Sequence, residues 1–390
     1  MKIAIITSGI LPIPAVQGGA VENLIDYYLE YNNLHRLHDI TVYSVWHTDV
    51  KQHKALKSEK NHYEYIDIHS LWFRLCSKFF SMLHPNSYYF HHLNFFFELV
   101  YCKLRKQHFD LIILENRPGF ALQLKERQNT PIISHVHTDI INSQTSRVDE
   151  IIKAHAGFIC VSKFIQKQIT DIGIPTKAMV VYNGLDTKQF VPSQNNNINR
   201  QAFGFKEKDF VVIYTGRIVP DKGIKELIEA ISLLKEEKDI KLLVVGGNNY
   251  ADSVNHNIFL DKLQEMGKQM NGKVYFTGFV PYNELPYHLS LANIAVVPSH
   301  INEALGMSAI EATAMGLPVI ATNDGGLPET LNGKKHIIID KNGNLPTQIA
   351  KAILEIKEHY VDFTDNNINP QFTKEIYAES FFKAINIYDI

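Results

Sequence analysis

Cysteine is scarce. The 390 residues hold three, Cys76, Cys102 and Cys160, at no motif spacing. That excludes a disulfide scaffold and fits a reducing compartment. Charge of one sign is also lacking: the formal net charge is −2, so there is no basic field for nucleic acid. No apolar run is long enough to span a bilayer. Residues 79–97 carry no Asp, Glu, Lys or Arg, but His84, Pro85, Asn86, His91, His92 and Asn94 interrupt them. The N-terminal MKIAIITSG is too short in its apolar part for a signal peptide, and no small-x-small site follows, so it reads as a first strand. A Walker loop and a G-x-S-x-G elbow are both missing, which leaves kinase and serine-hydrolase readings without support. No two aspartates stand in D-x-D spacing; Asp362 and Asp365 come nearest.

What is present is an α/β rhythm, at a length that favours two domains over one. Short apolar runs near 2–7, 39–45, 63–68, 110–114, 131–136, 157–161 and 178–182 alternate with helical patterns such as 20–31 and 162–171. The polar, Asn-rich stretch 191–201 reads as a linker. The rhythm then restarts, with strands at 209–215, 240–245, 273–277, 293–297, 317–321 and 336–339 and helices at 222–236, 256–269, 305–315 and 346–358. Residues 372–388 form one more helix. The expected architecture is two Rossmann-like domains facing across a cleft: 1–190, 191–368, and a C-terminal segment 369–390 that crosses back to the first. In such sheets ligands bind at the carboxyl ends of strands, so residues just after strands carry the most weight.

Four segments meet that condition. NEALGMSAIEATAMG (302–316) puts Glu303 before a helix and Glu311 two turns inside it. The free N–H groups of Leu305, Gly306, Met307 and Ser308 lie between them and favour a phosphate. Carboxylates on either side suit the hydroxyls of a sugar and a ribose; equally, they could be an N-terminal charge and a solvated face. YTGRIVPDKG (214–223) brings Arg217 and Lys222 to a strand-to-helix turn, as a diphosphate clamp or as ordinary surface cations. Gly18 and Gly19 precede a helix, as a backbone anion site or as a plain turn. SHVHTD (134–139) sets His135, His137 and Asp139 after a strand. A histidine there can bond a sugar or be a buried, satisfied core group. The H-x-H spacing has no accompanying Cys/His cluster, so no metal site is expected.

In order along the chain, ICVSKFIQKQI, VVYNGLDTKQF, YTGRIVPDKG, KLLVVGG, VYFTGFVPYNEL, NIAVVPS and NEALGMSAIEATAMGLPVIAT, followed by NDGGLPET, resemble the retaining glycosyltransferases of family 4, which have the GT-B fold. The resemblance covers most of the chain and is strongest over 155–330. It implies a nucleoside-diphosphate sugar donor, a UDP-sugar being favoured, with no cofactor and no required metal. It assigns Glu303 to donor-sugar hydroxyls, Glu311 to the ribose, and Arg217 and Lys222 with the N–H groups of 305–308 to the diphosphate. Gly18 and Gly19 would let backbone approach the phosphates. Phe279 and Val280 would border the base. His137 would lie beside the transferred sugar, with His135 as the alternative. The family often has an aromatic residue two positions after the first glutamate, where this chain has Leu305.

The resemblance also implies a glycan or lipid-linked acceptor, a place in bacterial surface polysaccharide or glycoconjugate synthesis, and a cytoplasmic location, peripheral on the inner face of the membrane. Residues 71–106 are rich in aromatics, with Arg74, Lys78, Lys103, Arg105 and Lys106 near their ends. They read as two core helices with snorkelling cations or as a membrane-touching face. Two rival readings remain: an inverting GT-B transferase or sugar-nucleotide epimerase, and a catalytically silent partner subunit of a transferase.

Overall fold

The computed structural model describes residues 1–85, 87–192, 199–247, 258–331, 335–364 and 369–388. Most of the expected linker, the first two residues of the helix expected over 256–269, and Asp365 lie outside the described residues. The chain forms two compact units, Met1–Gly184 with Lys374–Ile390, and Leu185–Thr373.

The first unit is built on seven strands: β1 (Lys2–Ile6), β2 (Asp39–Val45), β3 (Asn61–Ile66), β4 (Leu111–Glu115), β5 (Ile132–Val136), β6 (Gly157–Cys160) and β7 (Ala178–Val180). All pairs are parallel, in the order 3-2-1-4-5-6-7. The central strands, KIAII, LIILE and GFIC, are apolar on both faces because helices cover both faces. Those helices are α1 (Ala20–His35), α2 (Leu71–Leu83), α3 (His91–Leu104), α4 (Phe120–Lys125), α5 (Val148–Ala154) and α6 (Lys163–Thr170). Ser162 starts α6 by accepting a hydrogen bond from the N–H of Ile165.

The second unit repeats the plan. Its strands are β8 (Phe210–Thr215), β9 (Ile240–Val245), β10 (Val274–Gly278), β11 (Ile294–Val297), β12 (Val319–Thr322) and β13 (His336–Ile339), all parallel, in the order 10-9-8-11-12-13. Helices α7 (Ile224–Leu233), α8 (Ile258–Lys268), α9 (Leu285–Ser290), α10 (Met307–Ala314), α11 (Leu327–Thr330), α12 (Leu345–Glu358) and α13 (Tyr360–Phe363) connect or flank them. Strand order reverses between β1 and β4 in one sheet and between β8 and β11 in the other. At such a reversal the two connections leave in opposite directions and open a crevice at the carboxyl ends.

Two helices start later than their apolar patterns predict, for the same reason. Gly306 (φ 96°) and Gly223 (φ 70°) both take left-handed backbone immediately before α10 and α7. Each helix therefore begins after its glycine. The aromatic stretch splits: α3 buries Leu93, Phe96, Phe97, Val100 and Leu104, whereas α2 buries only Phe73 and Ser77.

The last helix, α14 (Lys374–Ile387), belongs to the first unit. Its Phe381 stacks on Tyr28 of α1 with ring centres 4.1 Å apart and planes within 6°. Tyr377, Phe381 and Ile385 are fully buried against β1, β2 and α1. The Tyr388 hydroxyl, just beyond the helix, donates to the carbonyl of Phe158 at 2.9 Å. Truncating a buried phenylalanine costs about 3–5 kcal/mol. Phe381→Ala should lower the unfolding free energy of the first unit by that amount, read as a lower urea midpoint at unchanged slope, and leave the second unit's transition in place. Coincident loss of both transitions, or no change, would contradict this division of the chain.

Candidate active site

In the second unit, β8 and β11 are neighbours, and the turns that leave their carboxyl ends carry Lys222 and Glu303. The Lys222 ammonium donates to Glu303 Oε2, and both side chains are about one-fifth exposed. The same oxygen accepts from the Ser299 hydroxyl at 3.0 Å. Glycine makes the approach of the two turns feasible. A Cβ on Gly223 would stand 2.0 Å from the carbonyl oxygen of Pro298, so only a residue without one lets the start of α7 lie against the end of β11.

The backbone around Glu303 is clamped from behind. The Asp324 carboxylate, fully buried, accepts the N–H groups of Asn302 (3.2 Å) and Glu303 (2.8 Å) and pairs with the Lys341 ammonium. Gly326 N–H donates to the Glu303 carbonyl at 2.7 Å. A Cβ on Gly325 would meet that carbonyl oxygen at 2.1 Å. The NDGG segment after β12 is thus the mould for the Glu303 loop. No motif in the sequence points to this role for it, or for Asp324, Ser299 and Lys341. The signal available was an acid directly before a glycine pair at a strand's carboxyl end.

Glu311 is not on a solvated face. It is buried, and the Tyr282 hydroxyl donates to its Oε1 at 3.1 Å. Burial pushes its carboxyl up from the ordinary 4.5 to about 7, against the smaller opposing effect of that hydrogen bond. Leu305 and Gly306 are buried; Met307 and Ser308, in the first turn of α10, are half-buried. Their N–H groups have no acceptor inside the helix. Arg217 is exposed, directly after Gly216, and its carbonyl accepts from the Tyr214 hydroxyl at 2.7 Å. Phe279, 47% exposed, follows β10 at its carboxyl end beside Gly247, and Val280 is half-buried.

In the first unit, His135 and His137 converge on Glu115, the last residue of β4. His137 Nε2 lies 2.9 Å from Glu115 Oε2, and His135 Nδ1 lies 3.2 Å from the same oxygen. The Tyr28 hydroxyl donates to Oε1 at 2.9 Å. All three of the triad's side chains are buried. Burial works against the Glu115 charge, but the imidazoles outweigh it and hold the carboxyl low, at about 2. Burial, then the neighbouring His135, lowers His137 to about 4. A charged carboxylate can only accept, so the proton of neutral His137 sits on Nε2 and Nδ1 keeps a lone pair. Among the described residues Nδ1 has no hydrogen-bond partner.

A histidine depressed from 6.5 to about 4 stabilises the fold fully above pH 6.5 and loses that contribution as pH falls toward 4. Glu115, His135 and His137 are also the one group among the described residues whose donor atoms, within 4.8 Å of one another, could hold a metal ion. Glu115 closes the buried strand LIILE; an acid ending an apolar run was the sequence signal for it. Gly18 (φ 74°) and Gly19 (φ 104°) do precede α1. That first turn already carries the buried carboxyl of Glu22, 2.2 Å from where a Cβ on Gly19 would stand.

Comparison with known proteins agrees with these features. Residues 31–189 match the model for Glycosyltransferase Family 4, and residues 195–369 match that for Glycosyl transferases group 1. YtcC of Bacillus subtilis, named as a glycosyltransferase, is 27% identical over 96% of this chain and 86% of its own length. The lipopolysaccharide 1,2-N-acetylglucosaminetransferase of Salmonella typhimurium is 28% identical over 58% of each. Among solved structures, Anabaena HepE in complex with UDP and glucose superposes with a TM-score of 0.73 at 20% identity, over 99% of both chains. With matches that cover nearly its whole length and a fold shared end to end, the chain belongs to the family 4 glycosyltransferases and has the GT-B fold.

Proposed function

We propose that the protein is a retaining, metal-independent glycosyltransferase whose second unit binds a nucleoside-diphosphate sugar and whose first unit takes a glycan or lipid-linked acceptor. The observation that carries this reading is the joining of Lys222, Glu303 and Ser299 at the β8–β11 reversal, clamped by Asp324 one turn from the start of α10. Lys222 and Arg217, with the N–H groups of Met307 and Ser308, supply the positive field that a metal would otherwise supply. Glu303 accepts hydroxyls of the sugar and Glu311 those of the ribose; Phe279 and Val280 border the base. In the free protein Lys222 and Glu303 neutralise each other. A donor separates them, giving the cation a diphosphate and the carboxylate a sugar.

The acceptor hydroxyl attacks the anomeric carbon on the face the diphosphate leaves. The sugar–diphosphate C–O bond breaks, its electron pair stays on the leaving oxygen, and the acceptor's proton passes to that oxygen. Catalysis is the stabilisation of the leaving charge by groups already in place. His137, neutral and oriented by Glu115, is the hydrogen-bonding partner of the transferred sugar. UDP is the favoured nucleotide, in line with the UDP complex of HepE. A GDP-mannose-dependent mannosyltransferase of Mycolicibacterium smegmatis, 32% identical over 46% of this chain, makes GDP the second reading. Work on surface polysaccharide at the inner face of the cytoplasmic membrane fits the Salmonella relative.

Thermal unfolding with UDP, GDP and ADP, each in EDTA and in Mg²⁺, tests the donor site. A ligand at 100 times its Kd adds about 2.7 kcal/mol. One nucleotide should shift the transition equally in both conditions. A shift that needs Mg²⁺ would refute metal independence, and none with any nucleotide would leave the silent-subunit reading. Glu303→Ala should abolish transfer while leaving the unfolding midpoint nearly unchanged; retained turnover removes its role.

Glu311 gives a pH signature. Its folded pKa is raised, so its contribution to stability is full below about 4.5 and is lost as pH rises to about 7. Each pKa unit is about 1.4 kcal/mol, so the loss is roughly 3 kcal/mol. Ribose hydroxyls favour the ionised carboxylate, so nucleotide affinity should rise roughly tenfold from pH 6 to pH 8, with proton release in calorimetry. Glu311→Gln should flatten both profiles. An affinity independent of pH in the native enzyme would remove Glu311 from the ribose site.

A further inference from the structure

The first unit carries a second feature that the donor chemistry does not use. Leu71, Trp72, Leu75, Phe79, Met82 and Leu83 of α2 are each between 59% and 77% exposed. At 3.6 residues per turn they fall on one arc about 120° wide. Phe73 and Ser77 on the opposite side are buried against the unit. Arg74 and Lys78 run along one border of the apolar arc. Among the described residues, neither side chain has a carboxylate within ion-pair distance. From Ile68 to Phe97 the chain contains no Asp or Glu. The nearest acid, Asp67, is turned to the N–H groups of His69 and Ser70 at the start of α2.

The same border opens into a cavity of about 280 Å³ between α2 and α3. Its polar lining is cationic or protonatable throughout apart from Ser77: His69, Arg74, Lys78, His91 and His92. Phe73 forms part of its wall. Gly9, three residues beyond the carboxyl end of β1, also lines it, so the cavity reaches the end of the sheet where the first unit's ligand is expected.

We propose that this cavity seats the diphosphate of a membrane-held lipid acceptor whose attached sugar carries the attacking hydroxyl, while the outer face of α2 lies in the lipid. The proposal rests on the glycosyltransferase reading and narrows its acceptor to a phosphate-linked lipid. Two fixed cations, Arg74 and Lys78, with three imidazoles able to donate hydrogen bonds around one small cavity, match an anion carrying more than one charge better than a phosphodiester headgroup. Burial, then His91, holds His92 below the usual imidazole range, so it enters as a neutral donor. Water gains nothing from an arc of six large apolar side chains, whereas a bilayer interface accepts both the arc and its cationic border. The occupant is therefore a lipid and not a free phosphate.

Flotation with three vesicle types tests it: phosphatidylcholine alone, phosphatidylcholine with phosphatidylglycerol, and phosphatidylcholine with undecaprenyl diphosphate at matched surface charge. The native protein should bind the third at least tenfold more tightly than the second and ignore the first. Arg74→Ala with Lys78→Ala should bring the third down to the level of the second. Leu75→Ser with Phe79→Ser should abolish flotation with all. All four side chains are exposed, so the fold is not at stake. Equal binding to both charged vesicles, no binding to either at low salt, or full binding by the Arg74/Lys78 variant would each overturn the proposal. Stabilisation by nucleotide, measured alongside, reports on the donor site alone. A protein that responds to nucleotide but not to vesicles loses this inference and keeps its function. One that responds to neither loses both.

Discussion

The ion pair between Lys222 and Glu303 depends on a contact that involves neither side chain. The turn after β8 can reach the turn after β11 because Gly223 presents hydrogen to the Pro298 carbonyl, where any Cβ would stand 2.0 Å away. Parallel topology brings the two strands together, but it brings only their ends together. Whether a cation from one turn meets a carboxylate from the other is decided by how closely the backbones pass. The same holds one strand further along, where Gly325 and Gly326 let the loop after β12 wrap the Glu303 backbone. Asp324 then fixes that loop by taking two of its N–H groups. The site is a stack of three strand-end loops held by backbone contacts, and its charged side chains are the visible part.

This arrangement explains why a half-buried pair is worth keeping. An ion pair in such a setting adds little to stability, because desolvation offsets most of the attraction. Its value lies in geometry: a cation and an acceptor already in place need no reorganisation when a charged ligand arrives. Glu311 makes the same point from the opposite side. Burial raises its carboxyl to about 7, with a single tyrosine as compensation, and a chain selected for stability alone would place glutamine or leucine there. Burial compensated so sparingly marks a group whose partner comes from outside.

Much of the fold was legible. All thirteen strands were expected within a few residues, since parallel strands covered on both faces are continuous apolar runs, and few other structures require them. The helix starts were misread where left-handed glycines delay them, because apolar periodicity carries no information about φ. Lys222, Glu303 and Glu311 were legible as types and positions. The partners of Asp324, Glu115 and Tyr28 were not, because each acts on a residue distant in sequence: Asp324 on Glu303 across α10 and β12, and Glu115 on His137 across α4 and β5. The aromatic stretch 71–106 was ambiguous for another reason. Two consecutive helices share one composition, and only packing shows that α3 faces inward while α2 leaves its apolar arc outside.

Glu303 and Glu311 look equivalent in the sequence, two carboxylates separated by seven residues, and the fold makes them opposites. Glu303 sits at the mouth of three loops with an ammonium and a hydroxyl on one oxygen. Glu311, on the inner side of α10, has Tyr282 alone among the described residues. Glu115 is a third case, fully buried yet charged, because two imidazoles and a phenol surround it. Residue type is constant across the three, and depth does not decide the outcome, since Glu115 and Glu311 are both buried yet one carboxyl is held at about 2 and the other raised to about 7. The number of donors that the fold turns toward each carboxylate decides it. A carboxylate supplied with donors by its own chain can orient a neighbour, as Glu115 orients His137. One left short of donors can receive hydroxyls from a ligand, as Glu311 is placed to do. Spacing along the chain could identify Glu303 and Glu311 as a pair, but the donor supply that separates their chemistry is a property of the folded chain.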